Sequence, residues 1–194
     1  MANILAIHSV GASLATYLRN TYPAELRAAH PCEFKLFASA EMGSTEERTT
    51  TLSLYLYRIT INEHVRNARG GNELARLDTP LSVDLHFLLT VWADTVLAEQ
   101  TILAWAMRQL HQRPVLDRST LSPEGGWEPS DIVHVIPAEL SHEDLMRIWD
   151  ALEPSYRLSV SYIARVVRID PDPAPSGVPV VARNIMMTSP EAGR

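Results

Sequence analysis

The sequence predicts an α/β fold of the α+β kind, with a single mostly antiparallel or mixed sheet of four to six strands flanked by two main helices and one short helix. Three observations carry that expectation. Between Leu81 and Leu110 the hydrophobic period changes from two to nearly four: Leu81, Val83, Leu85, Phe87, Leu89 and Val91 alternate with Ser82, Asp84, His86 and Thr90, and then Val96, Leu103, Ala106, Met107 and Leu110 fall at helical spacing. A strand feeding a helix of about four turns follows, the helix lying across one face of the sheet. The stretch Leu52–Ile61 is apolar at nearly every position, the pattern of a central strand covered on both sides. Two further amphipathic stretches, one at each end of the chain, supply the remaining helices.

The first of these runs from Asn3 to about Asn20, with Ile4, Ile7, His8, Gly11, Leu14, Ala15 and Leu18 on the buried stripe, Asn3 as the cap and Pro23 as the stop. Gly11 costs about 1 kcal/mol of helix propensity against Ala, which a close approach of another backbone would explain. CEFKLFA is a short strand with Phe34 and Leu36 on one side and Lys35 and Phe37 on the other. The polar segment SAEMGSTEERTT separates it from the Leu52–Ile61 strand, whose faces read Leu52, Leu54, Leu56 and Tyr55, Tyr57, Ile59, Ile61. The nineteen residues Asn62–Pro80 carry three arginines, three acids and the pair Gly70–Gly71, and read as a functional loop or as a hairpin extended beyond the sheet.

After the central helix come an extended piece at Pro114–Leu116 and a long loop holding Trp127, which either lids the core or faces a partner. A strand at Asp131–Pro137 and a short helix capped by Ser141 follow, the helix burying Leu145, Ile148, Trp149 and Leu152. The last strand, RLSVSYIARVVRI, changes phase near Ile163 and Ala164. Leu158, Val160 and Tyr162 take one face and Ile163, Val167 and Ile169 the other, with a bulge, or a change from covered sheet to edge, between. Residues 1–170 read as a single domain. From Pro171 to Arg194, five of the thirteen prolines and no useful period mark an extended tail.

At 194 residues the chain can bury about 70% of its unfolded surface without disulfides or a structural metal. The net charge of -6, with no Lys/Arg cluster, argues against nucleic acid as a partner. No apolar run is long enough for a spanning helix, and the start lacks a secretory signal, so no membrane partner and cytoplasmic synthesis are expected. The single cysteine, Cys32, reads as a small strand residue.

No cofactor and no catalytic or metal site is predicted, because no nucleophile elbow, dinucleotide fingerprint, HExxH or CxxC is present. Asp84 and His86, two apart on the more polar strand face, could be joined by His134 and His142. A metal site needs more ligands than this spacing specifies, and wet strand residues explain the pair equally well. A long arm, an open sheet and an extended tail are devices of assembly.

SLYLYRI, then PLSVDLHFLLT, then AMRQLHQRPVLD, in that order and following ILAIHSVGASLATYL, resemble the cap or tail-terminator family of extracellular contractile injection systems, phage-tail-like particles of the virulence-cassette and antifeeding-prophage kind. The resemblance covers roughly residues 4–169 and implies a phage tail-terminator-like fold. It also implies a structural role: a homo-hexameric ring that caps and terminates the inner tube and sheath, anchors the last sheath ring, and ends as part of a released or cell-associated particle. Within that expectation Arg66, Arg69 and Glu73 are candidate subunit or tube contacts, and Val178, Val180 and Val181 candidate sheath contacts. A neck or connector protein of a tailed phage, and a small metal-assisted hydrolase built on Asp84, His86 and His134, are the alternatives.

Overall fold

A computed structural model describes residues 2–43, 49–62, 80–152 and 155–171. Its elements are α1 (Ala6–Thr21), α2 (Ala24–Ala29), β1 (Glu33–Phe37), α3 (Ser39–Gly43), β2 (Thr51–Ile61), β3 (Leu81–Trp92), α4 (Val96–Gln112), β4 (Val115–Leu116), β5 (Val133–Pro137), α5 (His142–Leu152) and β6 (Ser159–Ile169), with a 3-10 turn at Pro123–Gly125. The six strands form one sheet in the order β1-β2-β3-β6-β5-β4. β1 runs parallel to β2 and every other pairing is antiparallel, so the mixed sheet expected from the sequence is present.

β3 lies in the middle and sets the two layers. Val83, Leu85, Phe87, Leu89 and Val91 enter the main core beneath α1 and α4, as the alternation predicts. Leu88 and Trp92 point the other way, into a second cluster with Met42 of α3 and Trp149 of α5. The sheet is therefore covered on both faces, as the pattern of Leu52–Ile61 predicts and the alternation of β3 alone does not. Its second cover comes from α5 and from α3, a helix inside the segment read as a polar connection. Met42 is the one large apolar residue of that segment, and it is completely buried.

α1 begins at Ala6, later than predicted. Asn3 does not cap it: its side chain accepts from Leu5 N (2.7 Å) and donates to Glu124 O (2.9 Å), tying the N-terminus to the 3-10 turn. The buried face is Ala6, Val10, Leu14, Ala15 and Leu18, while Ile4 and His8 are exposed, because the chain before Ala6 is not helical and the stripe is rotated off both. What approaches Gly11 is a side chain, not a backbone. A Cβ there would sit 2.8 Å from Leu36 Cδ2. Ser9 and Ser13 on the buried face are satisfied by the 122–127 loop: Ser9 Oγ donates to Ser122 O, Ser122 N donates to Ser13 Oγ, and Trp127 Nε1 donates to Ser9 Oγ at 2.8 Å. Trp127 is thus a lid on the core.

α4 is capped by Thr95, whose hydroxyl accepts from Ala98 N at 3.2 Å. It buries Ala98, Ile102, Leu103, Trp105, Ala106 and Leu110, whereas Val96 and Met107 are exposed against expectation. Trp105 decides the rotation. Its ring packs edge-on against Tyr22 and Phe34, with centroids 4.8 and 5.8 Å away, and so large an apolar surface outweighs Met107.

Two bulges correct the predicted faces of β2 and β6. The β2–β3 register shifts between Leu56 and Arg58, so Ile59 and Ile61 lie opposite Leu85 and Val83, on the α1 side with Leu52 and Leu54 rather than with the tyrosines. In β6 the predicted bulge is present, with Leu85 opposite Ala164 and Val83 opposite Val167. Its extra residue returns Val167 and Ile169 to the face of Val160 and Tyr162 rather than sending them across. Cys32 falls just before β1, half-buried.

Ser141 caps α5 as read: it accepts from Asp144 N (3.1 Å) and donates to Asp144 Oδ2 (2.7 Å). Trp149 fills the second cluster, and its indole N–H has no hydrogen-bond partner among the described residues. Trp149→Ala should cost about 3–5 kcal/mol in chemical denaturation. Trp149→Phe should cost less than half of that, since no hydrogen bond is lost with the indole.

Candidate functional site

The predicted contact residues Arg66, Arg69, Glu73, Val178, Val180 and Val181 lie outside the described residues, and so does the chain on both sides of Gly70–Gly71. What the structure does locate is where those two segments begin and end. Ile61 lies opposite Val83, Leu81 lies opposite Ile169, and Asn62 N donates to Ser82 O. Asp170 N donates to Ala2 O. The 63–79 segment, the segment following Pro171 and the N-terminus therefore all meet one end of the sheet.

That end is amphipathic. On the α1 side, beyond the reach of the helix, Ile61 is 60% exposed, with Ile59, Leu81 and Leu5 about half exposed. On the opposite side lie Arg58, Thr60, Asp84 and His86. Here Thr60, Asp84 and His86 each have a structural partner, while Arg58 is exposed and the buried Asn62 Oδ1 has no hydrogen-bond partner among the described residues. Asn62 Nδ2 donates to both carboxylate oxygens of Asp84 (3.1 and 3.3 Å), Thr60 Oγ1 lies 3.0 Å from His86 Nε2, and the Tyr57 ring meets the His86 ring edge-on. Burial pushes the His86 imidazole below its ordinary value, helped by the Arg58 charge and opposed by Asp84.

The other end of the sheet carries a second apolar patch. Val96 and Leu97, at the start of α4, are 70% and 68% exposed. Tyr156 and Leu158, before β6, stand out from the same end, where Thr90 of β3 lies opposite Ser159. Arg157 holds them in place: its guanidinium stacks 5.1 Å over the Trp92 ring and lies 3.8 Å from Glu99. The two patches are separated by the length of β3, about 36 Å for its twelve residues.

Neither patch was read from the sequence. The sequence pattern places Ile59 and Ile61 on the other face and Val96 in the core; the composition does not report the bulge or the helix rotation that exposes them. Of the residues weighed for chemistry, Asp84 and His86 do share a face, each bonded to a different β2 neighbour. His134 lies on β5 opposite Arg165, and His142 opens α5. Among the described residues no three His, Cys, Asp or Glu are grouped as a metal ion would require.

Residues 9–183 match the family described as the Pvc16 N-terminal domain. Two solved structures share the fold. One is the sheath/tube terminator, in its extended state, of the extracellular contractile injection system PVC: 19% identity, 94% of this chain, 64% of that chain, TM-score 0.57. The other is the tube-terminating cap of the anti-feeding prophage: 14% identity, 93% of this chain, 59% of that chain, TM-score 0.56. The chain therefore spans about three fifths of the length of each. No curated protein matches it.

His86 gives the polar face of this end a pH signature. Because its folded pKa lies below the unfolded value of about 6.5, the unfolded chain binds more protons in mildly acidic solution, and stability falls as pH drops through 6.5. Thermal melts at pH 7.5 and 5.0 should show a smaller loss in His86→Asn than in the wild type.

Proposed function

The chain belongs to the Pvc16 N-terminal domain family, and on that premise we propose that it is a structural protein, not an enzyme, that caps and terminates the tube and sheath of a contractile injection particle as a ring of identical copies. The single observation that carries this reading is the family match over residues 9–183, and the geometry is compatible with it. A cyclic ring needs two different patches on each subunit, one for each neighbour, and its closure leaves none of them exposed and stops further growth. The apolar patches around Ile61 and Leu97, at opposite ends of one rigid sheet, meet that requirement. In this reading the ring has six copies, as the resemblance implies.

Residues 1–170 act in this reading as the ring-forming domain and 171–194 as an extended tail. Arg66, Arg69 and Glu73 face a neighbouring copy or the tube, and Val178, Val180 and Val181 reach the sheath. The particle is phage-tail-like, and assembly takes place in the cytoplasm.

Two measurements test it. Light scattering on the purified chain should give about six subunits, and Ile61→Glu and Leu97→Glu should each give monomers of undiminished melting temperature. Mixed together, these two variants should form one-to-one dimers, because each retains the patch that the other has lost. A mixture that stays monomeric overturns the head-to-tail arrangement. Electron microscopy of particles made without this protein should show tubes of uncontrolled length. Particles made with the chain truncated after Asp170 should keep their length and lose the last sheath ring.

A further inference from the structure

The sheet face that carries α5 is covered over only part of its length. Leu88 and Trp92 of β3 pack with Met42 and Trp149, whereas Asp84 and His86 on the same face stand beyond that cluster, half-buried. The strand registers set out what surrounds His86. Arg58 lies opposite it on β2 and Ile163 on β6, Ile136 of β5 lies opposite Ile163, and Arg165 lies opposite His134. Ile136 and Ile163 are half-buried and join neither apolar cluster, while Arg58, Arg165 and His134 are exposed.

The charge left open on this floor is positive. Asp84 is the one acid among its described strand residues, and Asn62 Nδ2 already donates to both of its oxygens. The arginine ion pairs lie elsewhere, Arg147 with Glu143, Arg157 with Glu99 and Arg168 with Asp170, so among the described residues Arg58 and Arg165 meet no carboxylate. Burial first, and the Arg58 charge second, hold the His86 imidazole below its ordinary value, so the centre of the floor is uncharged at neutral pH. Arg58 and Arg165 stand on either side of β3, two strand spacings or about 10 Å apart. That is the width of one α-helix. From Ser82 to Leu88 the strand rises about 20 Å, the length of nearly four helical turns.

From this geometry we infer that the open part of the α5 face docks one acidic amphipathic helix of another protein, its apolar stripe on His86, Ile136 and Ile163 and its flanking carboxylates on Arg58 and Arg165. The docked helix lies beside α5 as the next member of the same layer. A helix whose apolar stripe is bounded by acids is the complement of an apolar strip bounded by guanidiniums, each of which offers a carboxylate two parallel donors. Charge favours this occupant over the chain's own segments. Residues 63–79 hold three acids and three arginines, and residues 171–194 two of each, so neither brings a net negative charge. The acidic α5 of a second copy is also a poor match, because Leu145, Ile148, Trp149 and Leu152 are already spent on its own sheet. The half-buried isoleucines between the arginines offer nothing to a phosphate backbone. This inference stands on the α5 face alone and does not depend on the ring, since Ile61 and Leu97 lie outside it.

The probe is a blocked helical peptide of about twenty residues, with leucine on one stripe, glutamate on both flanks and glutamine on the far side, carrying a fluorophore and titrated with the full chain. Anisotropy should saturate below about 1 mM, and a lysine-for-glutamate peptide should not bind. In isoleucine-methyl NMR spectra the Ile136 and Ile163 signals should move while those of Ile59 and Ile61 stay. The Arg58→Gln/Arg165→Gln double variant should bind at least about tenfold more weakly. If that variant does not fold, Arg165→Gln alone should show a weakening in the same direction. No saturation, equal binding of the lysine peptide, undiminished binding by the double variant, or movement confined to Ile59 and Ile61 overturns the inference. So does tighter binding of a single-stranded oligonucleotide than of the peptide. Movement of the Ile136 and Ile163 signals without peptide, when residues 63–79 are replaced by a two-residue turn, makes the chain's own segment the occupant and overturns it as well.

Discussion

From Leu88 to Trp92, β3 places apolar or buried side chains at every position, so neither face of the sheet can be left to water there. The rest of the architecture answers that demand. α1 and α4 cover the odd residues, and α3 and α5 cover Leu88 and Trp92, which makes three layers out of what the alternation alone would leave as two. Trp92 anchors the second cover: its Nε1 donates to Ser53 Oγ at 2.8 Å, its ring tilts against Trp149, and Arg157 stacks on it. Ser53 Oγ donates in turn to Thr90 O, so the polar atoms around Trp92 are paired locally, whereas Trp149 Nε1 has no partner among the described residues.

The same strand also explains why the opposite end of the sheet is different. Both neighbours of β3 carry a bulge near its middle, one at Tyr57 and one at Arg165–Val166. Each adds one residue and so reverses the inward and outward sense of everything beyond it. The two reversals leave Ile59, Ile61, Val167 and Ile169 all on the α1 side, joined to Leu81. Val167 and Ile169 are taken into the main core, whereas Ile59, Ile61 and Leu81 stay about half exposed beside the points where the 63–79 segment and the tail join the sheet. The core-facing residues of β3 from Val83 to Val91 are satisfied within the subunit, and it is Leu81 with Ile59 and Ile61 beside it that are compatible with being covered by a neighbour.

Polar residues that invite a catalytic reading turn out to serve this division. Asp84 and His86 hold the end of β2 through Asn62 and Thr60, and Ser9 and Ser13 stitch the 122–127 loop onto α1. The two serines supply hydrogen bonds that the irregular backbone at Ser122 could not find within the ladder, and Asp84 and His86 pair with side chains of the neighbouring strand end. Arg58 and Arg165, on the same face as Asp84 and His86, differ from these: among the described residues neither meets a carboxylate.

The mixed sheet, the strand-to-helix switch at Thr95, the Ser141 cap and the existence of the β6 bulge were all legible in the sequence, because each rests on a local period or a short-range hydrogen bond. So was the family, through an ordered set of strand motifs. Tertiary structure alone decided which way each face points. Ile59 and Ile61 cross faces because a bulge at Tyr57 has no local signature, Val96 and Met107 are left out because Trp105 wins the helix rotation, and Met42 makes a helix of a polar segment because the far side of β3 needs cover. The assembly patches belong wholly to this second class. A residue's exposure at the end of a sheet depends on how far a helix from another part of the chain extends over it, and no window of neighbouring residues contains that distance.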